Sequence, residues 1–306
     1  MNHSKKYIRI WLITGLVMVF FQIIIGGVTR LTGSGLSITK WEVVSGTLPP
    51  LNQRQWEREF DLYKETPQYE KINEGMSMSE FKFIYFWEYF HRLWARSIGI
   101  VFLVPFLFFL ARGWLDKKLI RQLLVLVGLG AVVALFGWIM VMSGLTDRPW
   151  VSAYKLAMHL SLALVVFSYL LHIYLDYSGH KALVKNTLLK SLSVFFLVLL
   201  GIQIVYGALM SGMHAGLLYP TWPKIGDQWF PSSLFGLNNY LAPDFWKYEI
   251  NTFIQLVVHF LHRGTAYLLL LTGILLWWFS RKSGKLELLR RPLLWMSILL
   301  VLQVVL

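Results

Sequence analysis

The chain has 306 residues, of which 56% are hydrophobic and 15% charged, and it carries a net charge of +13 at pH 7. In water such a composition would expose a large apolar surface, which excludes an ordinary soluble globular protein; several apolar runs reach the ~20 residues that a membrane-spanning helix needs. There is no cysteine, so disulfides, thiolate chemistry and Cys metal ligands are excluded too.

The first predicted span covers residues 10–28 and follows Lys5, Lys6 and Arg9. It is long for a signal-peptide core and ends at Arg30 without a small-x-small pattern, so it reads as a retained helix. A polar stretch, residues 29–79, follows; it starts Arg30-Leu31-Thr32-Gly33-Ser34-Gly35 and carries Pro49 and Pro50. Within it, residues 53–63 form an amphipathic candidate with Trp56, Phe60 and Tyr63 on one side, expected to rest near the lipid headgroups. Further spans are predicted at residues 83–110, 123–142, 151–174, 192–210 and 251–279, with a second long loop at 211–247 and a seventh apolar run from 293 onward. The Lys and Arg residues cluster at the N-terminus and in the second-to-third, fourth-to-fifth and sixth-to-seventh connections, which places those on the cytoplasmic side and both long loops outside. That placement gives the net charge a topological meaning and makes nucleic acid an unexpected partner. The expected location is the cytoplasmic (inner) membrane, multi-pass, with the N-terminus in the cytoplasm.

An order of features recurs. Span 1 carries Gln22 to Gly27 into a glycine-rich loop, and span 5 carries Gln203 to Gly207 into another; span 2 has His91-Arg92 and span 6 has His262-Arg263. The expected fold is therefore all-α: a polytopic membrane protein of two pseudo-symmetric four-helix bundles, the halves being 1–178 and 179–306. Span 4 supplies His159 to the first half, and the counterpart in the second would be an eighth helix. About seven helices fall in this chain, and the expectation is that an eighth span bearing a histidine follows.

Ionisable groups inside spans are costly and usually functional. His91, His159 and His262 all fall in the outward halves of their helices. Two imidazoles facing each other across a four-helix unit can supply both axial ligands of a haem iron; the bland alternative for each is an interhelical hydrogen bond. Arg92 and Arg96, four apart, can bracket haem propionates. Glu88 has three open readings: it holds the tautomer of a ligand histidine, it exchanges a proton or stabilises a cation during reaction, or it only bridges to Arg92 four residues on. His259, three residues before His262, either supports that ligand or is merely packed. The glycine pattern is not preceded by a strand, which excludes a nucleotide fingerprint, and zinc is not expected.

These residues resemble the haem A synthase family of cytochrome oxidase assembly. The likeness runs over nearly the whole chain: Gly26 to Ser37 with Trp41 and Pro49-Pro50, Glu88-Tyr89-Phe90-His91-Arg92 with Ala95-Arg96, Lys155 and His159, the Tyr206 to Leu209 stretch with Ala215-Gly216, and His262-Arg263. The resemblance implies an eight-helix enzyme of two halves that oxidises a methyl group of haem O to formyl, giving haem A for terminal oxidases. It implies a resident haem b in the second half with His262 as one ligand, a substrate haem O in the first half with His91 and His159 as ligands, and Glu88 as a needed carboxylate; Arg263 and His259 fall beside the cofactor, Arg92 and Arg96 beside the substrate. Some family members carry a cysteine pair in the first outer loop, so this chain resembles the cysteine-free branch. Haem O synthase, a membrane electron donor and the lipid bilayer are the expected partners, with self-association into a homo-oligomer left open. A di-haem electron-transfer cytochrome and a membrane transporter are the rival readings.

Overall fold

The computed structural model describes residues 3–40, 48–146, 148–179, 187–236, 247–248, 251–281 and 287–305. Trp41, quoted above, lies outside them. The chain divides into two compact units, Met1–His180 and Lys181–Leu306. Among the described residues no strand forms beyond an isolated antiparallel bridge between Ile225 and Gln228.

The first unit contains α1 (His3–Leu31), α2 (Gln53–Lys64), α3 (Pro67–Lys71), α4 (Met78–Ala111), α5 (Lys117–Met142) and α6 (Ala153–Tyr177). The second contains α7 (Thr187–Gly212), a short α8 (Ala215–Leu218), α9 (Thr252–Arg281) and α10 (Glu287–Val305). Six of these, α1, α4, α5, α6, α7 and α9, are long and apolar enough to cross a membrane; the seventh apolar run is helical as α10. On α1 the exposed Ile10, Ile13, Val17, Phe20 and Ile24 recur at helical spacing, an apolar stripe that only lipid or a protein partner can cover. The chain is thus an all-α, multi-pass membrane protein.

α1, α4 and α7 run past their apolar stretches at both ends, α5 at its start, and α6 and α9 at their ends, because capping chemistry ends a helix and polarity does not. Ser77 and Glu80 form a capping box that starts α4 five residues before its apolar run. Asn52 caps α2, and Asp116 caps α5 by accepting from Leu119 N at 2.7 Å.

The early start of α4 corrects one expectation. The aromatic side of α2 rests on the protein and not on headgroups, because the added turn of α4 presents Phe81, fully buried, and Tyr85 to it. Phe60 stacks on Phe81 with centroids 4.8 Å apart, and Trp56 meets Tyr85 edge-on at 5.1 Å. Tyr63 is also fully buried in this cluster.

Within the first unit, α1 packs against both α4 and α6, and α5 packs against α6. A buried cluster joins all four at one end: Ile8, Trp11, Leu12 and Leu16 of α1, Phe106 and Phe109 of α4, Leu119, Leu123 and Leu126 of α5, and Leu170 and Ile173 of α6. These residues come from the start of α1 and α5 and the end of α4 and α6. The opposite end, where α1 runs into the glycine-rich loop, holds the histidines.

Removing the Phe81 ring leaves a cavity between α2 and α4. Phe81→Ala should cost about 3–5 kcal/mol and should free α2, read as protease cleavage within residues 53–64 while the spanning helices stay intact.

Candidate functional site

Each candidate ligand histidine in the first unit lies against a glycine of a neighbouring helix. A Cβ added to Gly26 of α1 would fall 3.1 Å from His91 Nε2, and one added to Gly137 of α5 would fall 2.9 Å from His159 Cε1. No larger residue leaves the rings where they are. His159 Nδ1 is 3.1 Å from the carbonyl of Val133, a partner that orients the ring and leaves Nε2 as the ligating atom if Nδ1 carries the proton. Gln22, one turn before Gly26, donates to the carbonyl of His91 at 3.3 Å, and its own Oε1 is buried without a partner. His91 of α4 thus lies against α1 and His159 of α6 against α5, within the same four-helix unit.

Glu88 is 2% exposed and does not touch the His91 ring among its recorded contacts. Its Oε1 accepts from Arg92 Nη2 at 2.5 Å, and its Oε2 accepts from Ser37 Oγ and from the Ile38 amide, both at 2.8 Å. The bridge to Arg92 was one of the three open readings; the bonds to the loop after α1 were not foreseen. Arg92 also donates to the carbonyls of Ile38 at 3.1 Å and Lys40 at 3.4 Å. Its guanidinium is therefore engaged by Glu88 and the loop, not presented as an open propionate clamp. Arg96 lies one turn further along the same face of α4, partly buried.

The loop that these groups hold is fixed on other sides as well. Gly33 takes a left-handed turn at φ 67° that glycine tolerates freely, and the Ser34 amide donates back to the Thr29 carbonyl at 2.9 Å. Gln68 of α3 donates to the Gly33 carbonyl at 3.0 Å and accepts from the Tyr63 hydroxyl at 3.0 Å. Burial pushes the Tyr63 phenol up, with a smaller opposing effect of its bond to Asn73, so it stays neutral. Leu36, 1% exposed, fills the space beside Gly144 just past the end of α5, where an added Cβ would lie 2.7 Å from its methyl carbons.

The second unit repeats the scheme with different side chains. His262 of α9 lies against Gly207 of α7, whose added Cβ would be 3.3 Å from His262 Cε1. Gln203, one turn before Gly207, turns its amide to the imidazole, 3.2 Å from Nδ1 and 3.3 Å from Nε2, and accepts from the Thr265 hydroxyl. Arg263 donates to the carbonyls of Lys224 at 2.9 Å, Thr221 at 2.6 Å and Tyr219 at 3.3 Å. His259 takes the helix position of Glu88, 2% exposed, with Nε2 3.5 Å from Arg263 and its ring 5.6 Å from that of Tyr219.

The profile of the COX15-CtaA family, cytochrome oxidase assembly proteins, matches residues 9–306. The chain belongs to this family. Among its relatives, the protein named Heme A synthase in Parvibaculum lavamentivorans is 44% identical over 283 residues, covering 92% of this chain and 80% of the relative. That of Flavobacterium johnsoniae is 39% identical over 286 residues, with 92% and 82% covered. That of Bradyrhizobium diazoefficiens is 41% identical over 274 residues, with 90% and 75% covered. No solved structure matches.

The family membership frames a test of fit for haem. In the first unit, two imidazoles on separate helices, each against a glycine that a Cβ would fill, are a donor set suited to a six-coordinate iron. In the second, the described residues offer one such imidazole, His262. Sequence reasoning found the histidines but not their glycines; Gly26 and Gly207 stood in the repeat, while Gly137 carried no signal beyond being one of several small residues in α5.

In Gly137→Ala the new methyl group must displace the His159 ring from the Val133 carbonyl. The histidine Nδ1 resonance of His159 should shift in this variant and hold in Gly128→Ala, where an added Cβ meets open space. Ring displacement should fall in the order Gly137, Gly26, Gly207, the order of the three approach distances.

Proposed function

We propose that the chain is a haem A synthase that oxidises a methyl group of haem O to the formyl group of haem A. The observation that carries this reading is the pair of glycine-backed histidines, His91 and His159, converging from α4 and α6 at the end of the four-helix unit opposite its buried apolar cluster. The name borne by its relatives supplies the chemistry. We assign the first unit to the substrate. His91 and His159 bind the substrate iron from two sides, and the Val133 carbonyl holds His159 in one tautomer. Arg96, one turn beyond Arg92 on the same face of α4, is the cation we assign to a propionate, with Arg92 behind it. Two successive hydroxylations of one methyl carbon give a gem-diol, which loses water to become the aldehyde; the enzyme is on this reading an oxidoreductase acting on a CH group.

We assign the second unit to a resident haem b, held through His262 with His259 and Arg263 alongside. When bound, such a haem supplies one-electron transfer. Gln203 fixes the His262 ring, and Thr265 fixes Gln203. Arg263 holds the loop carbonyls above. Reducing equivalents come from a membrane electron donor, and haem O comes from its synthase in the same bilayer. The basic connections support an N-terminus in the cytoplasm and a location in the cytoplasmic membrane.

The test is pigment extraction from cells that make haem O and carry this chain. Haem A or its hydroxymethyl precursor should accumulate. His91→Ala and His159→Ala should each abolish conversion while the absorbance of the resident haem persists; His262→Ala should remove that absorbance. Unchanged haem O with a normal reduced cytochrome spectrum would mean an electron-transfer cytochrome, and a preparation without any Soret band would defeat both haem assignments.

A further inference from the structure

We propose that Glu88 is a positioning residue: its carboxylate fastens the outer-loop segment 33–38 as a lid over the His91–His159 site, and it acts on the reaction through that lid. The role rests on the haem A synthase reading for its meaning, but the lid itself is a property of the fold.

Every recorded bond of the Glu88 carboxylate is accepted from the protein. The donors are the Ser37 hydroxyl, the Ile38 amide and the Arg92 guanidinium. The Ile38 amide and the Arg92 guanidinium can only donate, and a carboxylate oxygen accepts from both; the Ser37 hydroxyl also reaches the Ile84 carbonyl at 3.4 Å. The ring of His91 meanwhile lies on Gly26, away from these bonds.

The segment so fastened crosses the whole outward end of the unit. It leaves α1 through the bond of the Ser34 amide to Thr29. It meets α3 where Gln68 donates to Gly33, α4 at Glu88 and Arg92, and the α5–α6 turn where Leu36 fills the space beside Gly144. Glu88 is three residues before His91, and α5 ends at Met142, five residues beyond Gly137, so the segment lies about one turn or more to the loop side of the imidazoles. A closed lid at that height keeps water from the reacting centre, where it would quench reactive species and weaken electrostatic control. Ser34, Leu36 and Ser37 are each at most 1% exposed, as a seated lid requires.

The second unit serves as an internal control. There the arginine of the same helix position, Arg263, holds its loop carbonyls with His259 in place of a carboxylate. A carboxylate is thus not what an arginine needs in order to hold a loop. What sets the first unit apart is a loop that presents two donors of its own, and Glu88 answers them.

The chain in membranes tests this directly, because its 306 residues contain no cysteine. Ser34→Cys places one thiol on the buried side of the lid itself, and a membrane-impermeant maleimide reads its exposure. With Glu88 present, labelling should be slow. Glu88→Ala should speed it at least tenfold, and Glu88→Gln, which keeps an acceptor oxygen, should fall between. Ser37→Ala, which leaves the carboxylate untouched, should also speed labelling, and should lower haem O conversion in the same direction as Glu88→Ala without adding to it in the double variant. The pH profile of conversion should keep its shape in Glu88→Gln. Conversion lost in Glu88→Gln with labelling unchanged and Ser37→Ala fully active would overturn the proposal and place Glu88 at the reacting atoms, as would a limb of the pH profile that vanishes with the carboxylate. Should Glu88→Ala fail to fold, the Gln and Ser37 variants decide alone. Labelling that responds as expected in a protein that converts no haem O would sink the enzyme reading and leave the lid standing.

Discussion

A buried carboxylate within a spanning helix has to be answered from inside the protein, and the first unit is arranged around that demand. Glu88 cannot reach bulk water, so its charge is met by one cation and two neutral donors. The cation comes from its own helix, one turn on. The donors come from a loop that is 50 residues earlier in the chain. Satisfying one side chain therefore fixes the loop's path, and the loop in turn fixes Leu36 against the α5–α6 turn and engages Gln68 and, through it, Tyr63. Removing the carboxylate would take the anionic partner from Arg92 and the acceptor from the Ile38 amide, and would leave the Ser37 hydroxyl with the Ile84 carbonyl at 3.4 Å, each a desolvated group with a cost of its own.

The two units use one scaffold differently. In both, the first spanning helix brings a glutamine and, one turn later, a glycine to the histidine of the second. The glycine makes room for the ring; the glutamine then does one of two things. Gln203 touches the His262 imidazole and is itself held by Thr265, a rigid arrangement suited to a permanent ligand. Gln22 donates to the His91 backbone and leaves the imidazole to Gly26. On the proposed division of labour, a ligand that accepts and releases a substrate iron gains from a ring on which no side-chain bond is recorded among the described residues. The same asymmetry separates Glu88 from His259. These differences, not the shared histidines, support unequal roles for the halves.

Much of this was legible in the residues. Apolar run length and basic connections are strong, additive signals, and all seven predicted runs are helical. The repeat of histidine and arginine pointed to the candidate sites. Three things were not legible. Helix ends were misplaced because capping by Ser77 and Asp116 lies outside the apolar pattern, and the misplaced start of α4 hid the platform for α2. The partners of Glu88 were hidden because contacts across 50 residues leave no periodicity. Arg92 looked like a free propionate clamp because spacing along one helix says nothing about what a loop brings to it. Gly137 was invisible for a related reason: a glycine in an apolar span is equally a packing residue until the opposing side chain is known.

The placement of the apolar cluster explains why one end of the first unit can hold chemistry at all. Trp11, Phe109, Leu123 and Ile173 lock the four helices together at the end opposite the glycine-rich loop, so the bundle does not depend on close packing near the histidines. Cohesion and reactivity are separated along the helix axis. At the reactive end, small residues replace large ones where imidazoles lie, and the connection between helices is made by polar bonds to a loop. Such bonds exchange one at a time, whereas an interdigitated apolar layer must separate as a whole. A flat macrocycle with a long apolar tail has to enter between helices and leave again after two turnovers. An end closed by a hydrogen-bonded loop over a bundle clamped from below can admit it without the unit coming apart, and the cost of a buried Glu88 is what makes that closure definite.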